Sequence, residues 1–298
     1  MLYLDLLDDA IAEGLRHLGP AFCRAQLDHV LACRRPDGGF PGRRGDSDLY
    51  YTEFALRTLV LLDAPTEALA AAVPFLAAHA SPDELTDVFS LLNSRRLLAA
   101  RGVRLSVAEG ACRDEIISRR VRSGGYGRLT AGGATAYATF LAALSLELLG
   151  DKLPAPAPAV GAIAALQNPD GGFAQEADGA SQTNSTAAAV AFLTLAEALD
   201  PDVGARARDY LLAQQDSSGG FVSRPGAPAD LLSTFTALTT LLFLEGAARV
   251  DLAGVARFTR ACAGPAGGFG AHPGDAEIDV EYTYYGVATL ALLAGLAT

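Results

Sequence analysis

The stretch from Gln214 to Leu238, QQDSSGGFVSRPGAPADLLSTFTAL, decides the fold of this 298-residue chain. A polar turn leads into Gly219-Gly220-Phe221, and after a short loop Asp230 opens a nearly continuous apolar run. The glycine pair with its aromatic residue recurs, with first glycines at positions 38, 124, 171, 219 and 267, at intervals of 86, 47, 48 and 48. A constant period of this length indicates a repeat fold, in which each repeat packs against its neighbours.

Each repeat is expected to be a hairpin of two helices. Before the glycine pair at 219, apolar residues such as Val203, Ala207 and Leu211 recur at helical spacing and predict an outer helix. The run after Asp230 is apolar nearly all round, as in an inner helix that is buried on both sides. The glycines are expected to end the outer helix, and the aromatic residue to fill the space between neighbouring repeats.

The period places an N-terminal helix at 2–17 and six hairpins from about 20 to 298, in a single domain spanning 1–298. The first interval is twice 43, so the segment 83–100 is interpreted as a copy that has lost its glycines. Outer helices are predicted near 21–33, 65–79, 103–121, 155–167, 203–214 and 250–262, and inner helices near 49–62, 83–99, 134–149, 184–199, 230–246 and 279–296. Six hairpins could form an open solenoid or a closed ring. Closure is favoured, because the inner helices are too apolar to line an exposed concave face.

An aspartate stands four residues before a threonine at the start of three inner helices. The pairs are Asp48 with Thr52, Asp230 with Thr234 and Asp279 with Thr283. An aspartate at this place can accept backbone N–H groups and complement the helix dipole, so these residues are predicted to be N-caps.

The composition excludes several classes of protein. A net charge of −11 argues against a nucleic-acid partner and against an anionic membrane surface. The four cysteines, at 23, 33, 112 and 262, have no paired spacing, which favours reduced structural thiols. The first residues are acidic, unlike a signal peptide, and no apolar run is long enough for a transmembrane segment. A cytoplasmic location is therefore expected.

The repeats resemble those of the protein prenyltransferase β-subunits and of squalene and related triterpene cyclases. The shared pattern is the Gly-Gly-Phe turn, an Arg-Pro-Gly-like loop and Asp-x-x-x-Thr opening an apolar helix, and it covers the chain from about residue 20 onward. The resemblance implies an all-α fold, an α6–α6 toroid or barrel whose central cavity holds an isoprenoid chain against aromatic side chains. The length is closer to the Rab-type geranylgeranyltransferase β-subunit than to the cyclases, which carry two such barrels. It also implies a helical partner subunit or, for a lone relative, a homodimer.

The residues that hold zinc in the prenyltransferases are only partly retained. Asp230 matches the family's aspartate, but Leu232 stands at the cysteine position and Tyr282 at the histidine position. Leucine cannot bind zinc and tyrosine is an unusual ligand, so the sequence predicts no family zinc site and no cofactor. A rebuilt metal site of His272 with Asp230, Asp279 and Glu281 stays open as an alternative to a solvated histidine near helix caps.

The diphosphate-binding and proton-donating motifs of the family are also incomplete. Arg224 matches the family's arginine, whereas Ala227 stands where its lysine belongs. The cyclases protonate their substrate with Asp-x-Asp-Asp. This chain has Asp46-Ser47-Asp48-Leu49, in which the fourth position does not match and Asp48 is better explained as an N-cap.

Acidic and aromatic residues at the starts of the inner helices are the candidate site. The candidates for catalysis are Asp230, Asp279, Glu281 and Tyr282, and the candidates for ligand binding are Arg224, Tyr50, Tyr51, Tyr137, Phe140, Phe235, Tyr284 and Tyr285. Aromatic faces suit an isoprenoid and stabilise a carbocation, although the same rings could instead pack the fold closed. Three hypotheses follow: a prenyltransferase-like or terpene cyclase-like enzyme, a non-catalytic lipid-binding protein, and a protein-interaction scaffold.

Overall fold

The computed structural model describes residues 2–128 and 132–297, and most of them are helical. The helices are α1 (Tyr3–Leu15), α2 (Pro20–Ala32), α3 (Leu49–Leu61), α4 (Thr66–Ala70), α5 (Val73–Ala78), α6 (Leu85–Ala100), α7 (Glu109–Ser118), α8 (Ala136–Leu148), α9 (Pro156–Ala164), α10 (Thr183–Leu195), α11 (Pro201–Leu212), α12 (Leu231–Phe243), α13 (Leu252–Ala261) and α14 (Val280–Leu296). Three two-stranded antiparallel ribbons join β1 (Phe40–Pro41) to β2 (Ser47–Asp48), β3 (Phe173–Ala174) to β4 (Ser181–Gln182), and β5 (Phe221–Val222) to β6 (Ala229–Asp230).

The predicted helices are present, and the outer helices differ most from their expected bounds. The outer helix expected at 65–79 is divided into α4 and α5. Pro74 lies in the first turn of α5, and a proline there cannot continue a preceding helix, since it lacks the N–H donor. The outer helix expected at 103–121 is confined to α7, because residues 103–108 are not helical.

The chain divides into two compact units. Unit 1 comprises Met1–Glu109 with Ala256–Thr298, and unit 2 comprises Gly110–Val255. In unit 1, the last helix α14 packs against both α1 and α3, and α3 packs against α6. In unit 2, α10 lies between α8 and α12 and buries Phe173 and Phe192 in an apolar core. The last repeat of the chain therefore docks directly on the first.

The glycine pairs reverse the chain rather than end the outer helices, which corrects the expectation from the sequence. Helix α11 already ends at Leu212, and Gly219 lies in a turn closed by hydrogen bonds between Gly219 and Asp216 (3.0 Å) and between Asp216 and Gly220 (3.0 Å). The first glycine of each pair has a φ between 91° and 98°. A Cβ on Gly38 would lie 2.1 Å from the carbonyl oxygen of Ala71, in the next outer helical segment. Glycine is thus required both for the turn and for the close approach of the next repeat.

The aromatic residue after each glycine pair is anchored to the inner helix that follows it. Its backbone N–H donates a hydrogen bond to a threonine hydroxyl, and its ring is at most 1 % exposed. The five pairs are Phe40 with Thr52 (2.9 Å), Tyr126 with Thr139 (2.9 Å), Phe173 with Thr186 (2.8 Å), Phe221 with Thr234 (3.0 Å) and Phe269 with Thr283 (3.2 Å). This bond fixes the start of each of these inner helices relative to its turn.

The predicted aspartate caps are confirmed. The carboxylates of Asp48, Asp230 and Asp279 accept the backbone N–H three residues further on, at 2.8, 2.7 and 2.8 Å. Where the aspartate is missing, Thr135 caps α8 through its hydroxyl (3.1 Å), whereas Gln182 begins α10 without a side-chain cap. Among the described residues, no helix combines the length and the apolarity needed to cross a bilayer.

The threonine anchor predicts a specific loss of stability. Replacing Thr186 by valine keeps the shape of the side chain but leaves the buried N–H of Phe173 without its acceptor, so we expect the free energy of unfolding to fall by about 1–3 kcal/mol. Thr194→Val is the matched control, because its hydroxyl bonds only the carbonyl of Val190 four residues earlier. Equal losses in the two variants, measured by urea unfolding, would contradict the anchoring role.

Candidate functional site

Helices α3 and α14 bring six aromatic rings together in unit 1. We call this group the tyrosine cluster; its members are Tyr50, Tyr51, Phe54, Tyr282, Tyr284 and Tyr285. Phe54 is its centre, with ring centroids 4.9 Å from Tyr50, 5.5 Å from Tyr284 and 5.3 Å from Tyr285. The rings meet edge to face or tilted, which is the arrangement that their quadrupoles favour.

The tyrosine cluster contains both accessible and buried members. Tyr50, Tyr51 and Tyr282 are half-buried, so part of each side chain is open to a ligand. Tyr285 is 6 % exposed and Tyr284 is fully buried. Tyr284 was predicted to bind a ligand, but in this structure its ring lies within the packing of α14 and offers no surface to one.

Glu281 is a buried carboxyl group beneath the tyrosine cluster. It is 8 % exposed, and its Oε1 atom accepts hydrogen bonds from the hydroxyls of Tyr50 (2.7 Å) and Tyr285 (3.3 Å). Burial disfavours the charged carboxylate and raises the pKa of Glu281 to about 7, although the hydroxyl of Tyr50 opposes this change. A carboxyl group that titrates near neutral pH can hold a proton and release it, as an acid catalyst must.

Arg43 connects the first repeat to the acidic loop before α14. Its guanidinium group bonds Asp279 (2.9 Å) and Asp275 (2.8 Å), and Glu277 lies 3.5 Å away. The same guanidinium lies 5.1 Å from the ring centroid of Tyr282. Asp279 therefore serves both as a helix cap and as a partner of Arg43, which leaves its carboxylate engaged on both sides.

A second arginine is buried behind the tyrosine cluster. Arg57 pairs with Glu53, which also accepts a hydrogen bond from Asn93, and its guanidinium faces the rings of Phe54 and Tyr284, each at 5.2 Å. Burial is the largest influence and would lower the pKa of Arg57, but Glu53, Tyr284 and Asp8 together hold the pKa above its ordinary value. The ring faces turned to Arg57 are occupied by a cation that belongs to the protein.

The remaining candidates lie in unit 2. Asp230 caps α12, where its carboxylate also accepts the hydroxyl of Ser233 at 2.9 Å. Phe235 is 6 % exposed, whereas Tyr137 is 41 % exposed. Phe140 packs against the apolar core of unit 2, and Arg224 lies exposed in the loop between β5 and β6.

Three histidines contact groups other than the carboxylates of Asp230, Asp279 and Glu281. His272 is exposed and contacts the carbonyl of its neighbour Pro273 (3.3 Å). His29 faces the thiol of Cys33 at 3.7 Å, and His79 bonds the carbonyl of Phe75 at 2.8 Å. Within residues 2–128 and 132–297, no three histidine, cysteine, aspartate or glutamate side chains come together as metal ligands.

Two arginines of the site were not foreseen from the sequence. Arg57 follows Glu53 by four residues inside an apolar helix, and this spacing of opposite charges could have indicated a buried ion pair. Arg43 bonds Asp279 across 236 positions of the chain, and no local pattern in the sequence predicts that contact.

The family model of the prenyltransferase alpha-alpha toroid domain matches residues 11–89, 66–203, 155–217 and 197–298. The chain belongs to this family. The predicted fold class, an all-α toroid, is thereby confirmed, and so is the predicted relation to prenyltransferases and terpene cyclases.

Three similar proteins illustrate the range of the family. Drimenyl diphosphate synthase of Streptomyces showdoensis is 30% identical over 250 residues, which cover 76% of this chain and 46% of the synthase. The structure of Candida albicans protein geranylgeranyltransferase-I complexed with GGPP has a TM-score of 0.72 at 15% identity and covers 91% of this chain and 90% of its own. The type II terpene cyclase MstE from Scytonema, in complex with geranylgeranyl dihydroxybenzoate as substrate, has a TM-score of 0.62 at 14% identity and covers 99% and 98%. The chain spans less than half the length of the curated relatives it matches.

The raised pKa of Glu281 predicts how stability depends on pH. Between the ordinary value of 4.5 and about 7, the folded protein keeps a proton that the unfolded chain has lost, so stability falls as pH rises through this range and is constant above it. Each pH unit corresponds to about 1.4 kcal/mol, so the loss between pH 4.5 and about 7 amounts to about 3–4 kcal/mol. Glu281→Gln removes the titrating group. Urea unfolding at pH 5 and pH 8 should therefore show the variant gaining stability relative to the native protein at the higher pH, and an unchanged difference would contradict the assignment.

Proposed function

We propose that this toroid handles an isoprenoid and transfers a proton from Glu281 to one of its carbon–carbon double bonds, as a terpene cyclase-like enzyme. The observation that carries the proposal is the buried carboxyl of Glu281, which titrates near neutral pH beside partly exposed aromatic rings. The isoprenoid would lie against Tyr50 and Tyr51, whose faces can stabilise positive charge on carbon.

The proposed reaction is an isomerisation and needs no other reactant. The double bond takes the proton of Glu281, so that a C–H bond forms and the neighbouring carbon becomes a carbocation. A second double bond of the same chain attacks that carbon and forms a C–C bond. The product cation then loses a proton to water, and the Glu281 carboxylate takes up a proton from water, so that no net proton is consumed. Protein side chains that exclude water protect the cation until the ring has closed.

The donor set of this chain argues against zinc-dependent prenyl transfer. Leu232 offers no ligand atom, and the ring of Tyr282 faces the guanidinium of Arg43 at 5.1 Å, where a second cation would be repelled. We therefore assign no step to zinc. The alternative metal site of His272 with Asp230, Asp279 and Glu281 is not proposed.

The relatives support the class of ligand. Each of the three relatives is named for, or was solved with, an isoprenoid compound. These compounds are drimenyl diphosphate for the synthase, GGPP for the geranylgeranyltransferase and geranylgeranyl dihydroxybenzoate for the type II terpene cyclase. The central cavity, the contact of Arg224 with a diphosphate, and a homodimer or helical partner subunit stay predictions from the resemblance. Non-catalytic lipid binding is the second hypothesis, and the experiment below separates it from turnover.

The test is incubation of the purified protein with farnesyl diphosphate, geranylgeranyl diphosphate and squalene, with products analysed by mass spectrometry. We expect a cyclic isomer of one substrate, formed faster below pH 7 than above it, because the acid must be protonated. Glu281→Gln should lower kcat by about 10²–10⁴.

The matched control is Glu67→Gln, which changes an exposed glutamate of α4 and should leave kcat unchanged. Tight binding of these substrates without any product would favour the lipid-binding hypothesis. Neither binding nor product would exclude both.

A further inference from the structure

The two tyrosine hydroxyls that reach Glu281 bond the same oxygen atom. Tyr50 and Tyr285 both donate to Oε1, at 2.7 and 3.3 Å. A carboxylic acid carries its proton on one oxygen, and an oxygen that already accepts two O–H donors is the less favourable place for it. The remaining oxygen, Oε2, is therefore where the acidic proton lies when Glu281 is neutral.

The positions of these hydroxyls are set by ring packing rather than by the hydrogen bonds alone. The ring of Tyr50 lies 5.3 Å from that of Tyr51, and the ring of Tyr285 lies 6.0 Å from Tyr282 and 5.8 Å from Tyr284. Phe54 contacts both donors, with ring centroids 4.9 and 5.3 Å away. A phenylalanine at position 50 or 285 can keep this packing while losing the hydroxyl.

The donors come from opposite ends of the repeat array. Tyr50 belongs to α3 in the first repeat, whereas Glu281 and Tyr285 belong to α14 in the last. The shorter of the two hydrogen bonds thus exists only because the last repeat docks on the first, within unit 1.

We propose that Tyr50 and Tyr285 are positioning residues, which hold the proton of Glu281 on Oε2 and stabilise the carboxylate that remains once the proton has left. Their hydroxyl groups thereby gain a role in addition to the predicted aromatic contact with the ligand. The relevance to turnover rests on the proposed function, but the arrangement itself can be tested on the protein alone.

Several other charged or titratable groups lie near Glu281 and influence its pKa. Asp279, on the same helix, raises its pKa, and Arg43, from the loop between β1 and β2, lowers it. Tyr51 of α3 and Tyr282 of α14 are also near, and at the end of α2 His29 and Cys33 interact electrostatically with Asp279. The hydroxyls of Tyr50 and Tyr285 both lower the pKa of Glu281, so removing either one should raise it further.

The experiment is an infrared titration of the Glu281 carboxyl group, identified as the band that Glu281→Gln removes. Tyr50→Phe should move its midpoint upward by about one to two pH units, and Tyr285→Phe by less, because the second hydrogen bond is longer. The matched control is Tyr51→Phe, which removes a hydroxyl from the same cluster and should leave the midpoint in place. Melting temperatures verify that each variant folds. If Tyr285→Phe fails to fold, Tyr50→Phe still provides the test, because Tyr50 is only half-buried.

An equal midpoint in Tyr50→Phe and Tyr51→Phe would overturn the proposal, whatever the protein does with isoprenoids. With an active substrate, Tyr50→Phe should lower kcat while KM stays within about twofold, because the ring that faces the ligand is kept. A shifted midpoint without turnover of any isoprenoid would support the positioning role and count against the proposed function instead.

Discussion

The hydrogen bond from the N–H of each buried aromatic residue to a threonine hydroxyl is the interaction on which the repeats depend. It joins the glycine turn to the inner helix that follows, over distances of 2.8–3.2 Å in five copies. In each copy the threonine stands four residues after the N-cap residue of the inner helix. The bond therefore also sets where that helix begins. The residue two places after the cap then occupies an equivalent position in these five repeats. These residues are Tyr50, Tyr137, Asn184, Leu232 and Glu281.

The chemistry of the candidate site follows from which of these equivalent residues meet. The last repeat packs on the first, so the residues two places after the caps Asp48 and Asp279 become partners as Tyr50 and Glu281. Burying a carboxyl group costs free energy unless it is protonated or bonded, and two hydroxyls reduce that cost here. The neighbouring charges are compensated as well, since Arg43 pairs with Asp279 and Arg57 with Glu53. The site therefore holds one carboxyl group whose pKa lies near neutral pH, while the two arginines beside it each face a carboxylate.

The sequence alone predicted the elements well and the contacts between them poorly. The period and the apolar runs were sufficient for the inner helices and for the aspartate caps, because both depend on residues close together in the chain. The role of Thr52 and its equivalents was not foreseen, although the threonines themselves were noted. Tyr284 was assigned to a ligand, yet it packs against Arg57, and nothing in a nearly uniform apolar helix distinguishes its buried face. The bonds of Tyr50 to Glu281 and of Arg43 to Asp279 span 231 and 236 positions, and only the docking of the last repeat on the first creates them.

The central claim is that Glu281 delivers a proton to carbon, and the fate of solvent hydrogen tests it most directly. A carboxyl proton exchanges with water, so a reaction run in heavy water loads Glu281 with deuterium before it acts. The account predicts a cyclic product with a single non-exchangeable deuterium, at the carbon that takes the proton in the first step. A cyclic product without deuterium, or the same labelled product formed at an undiminished rate by Glu281→Gln, would contradict it.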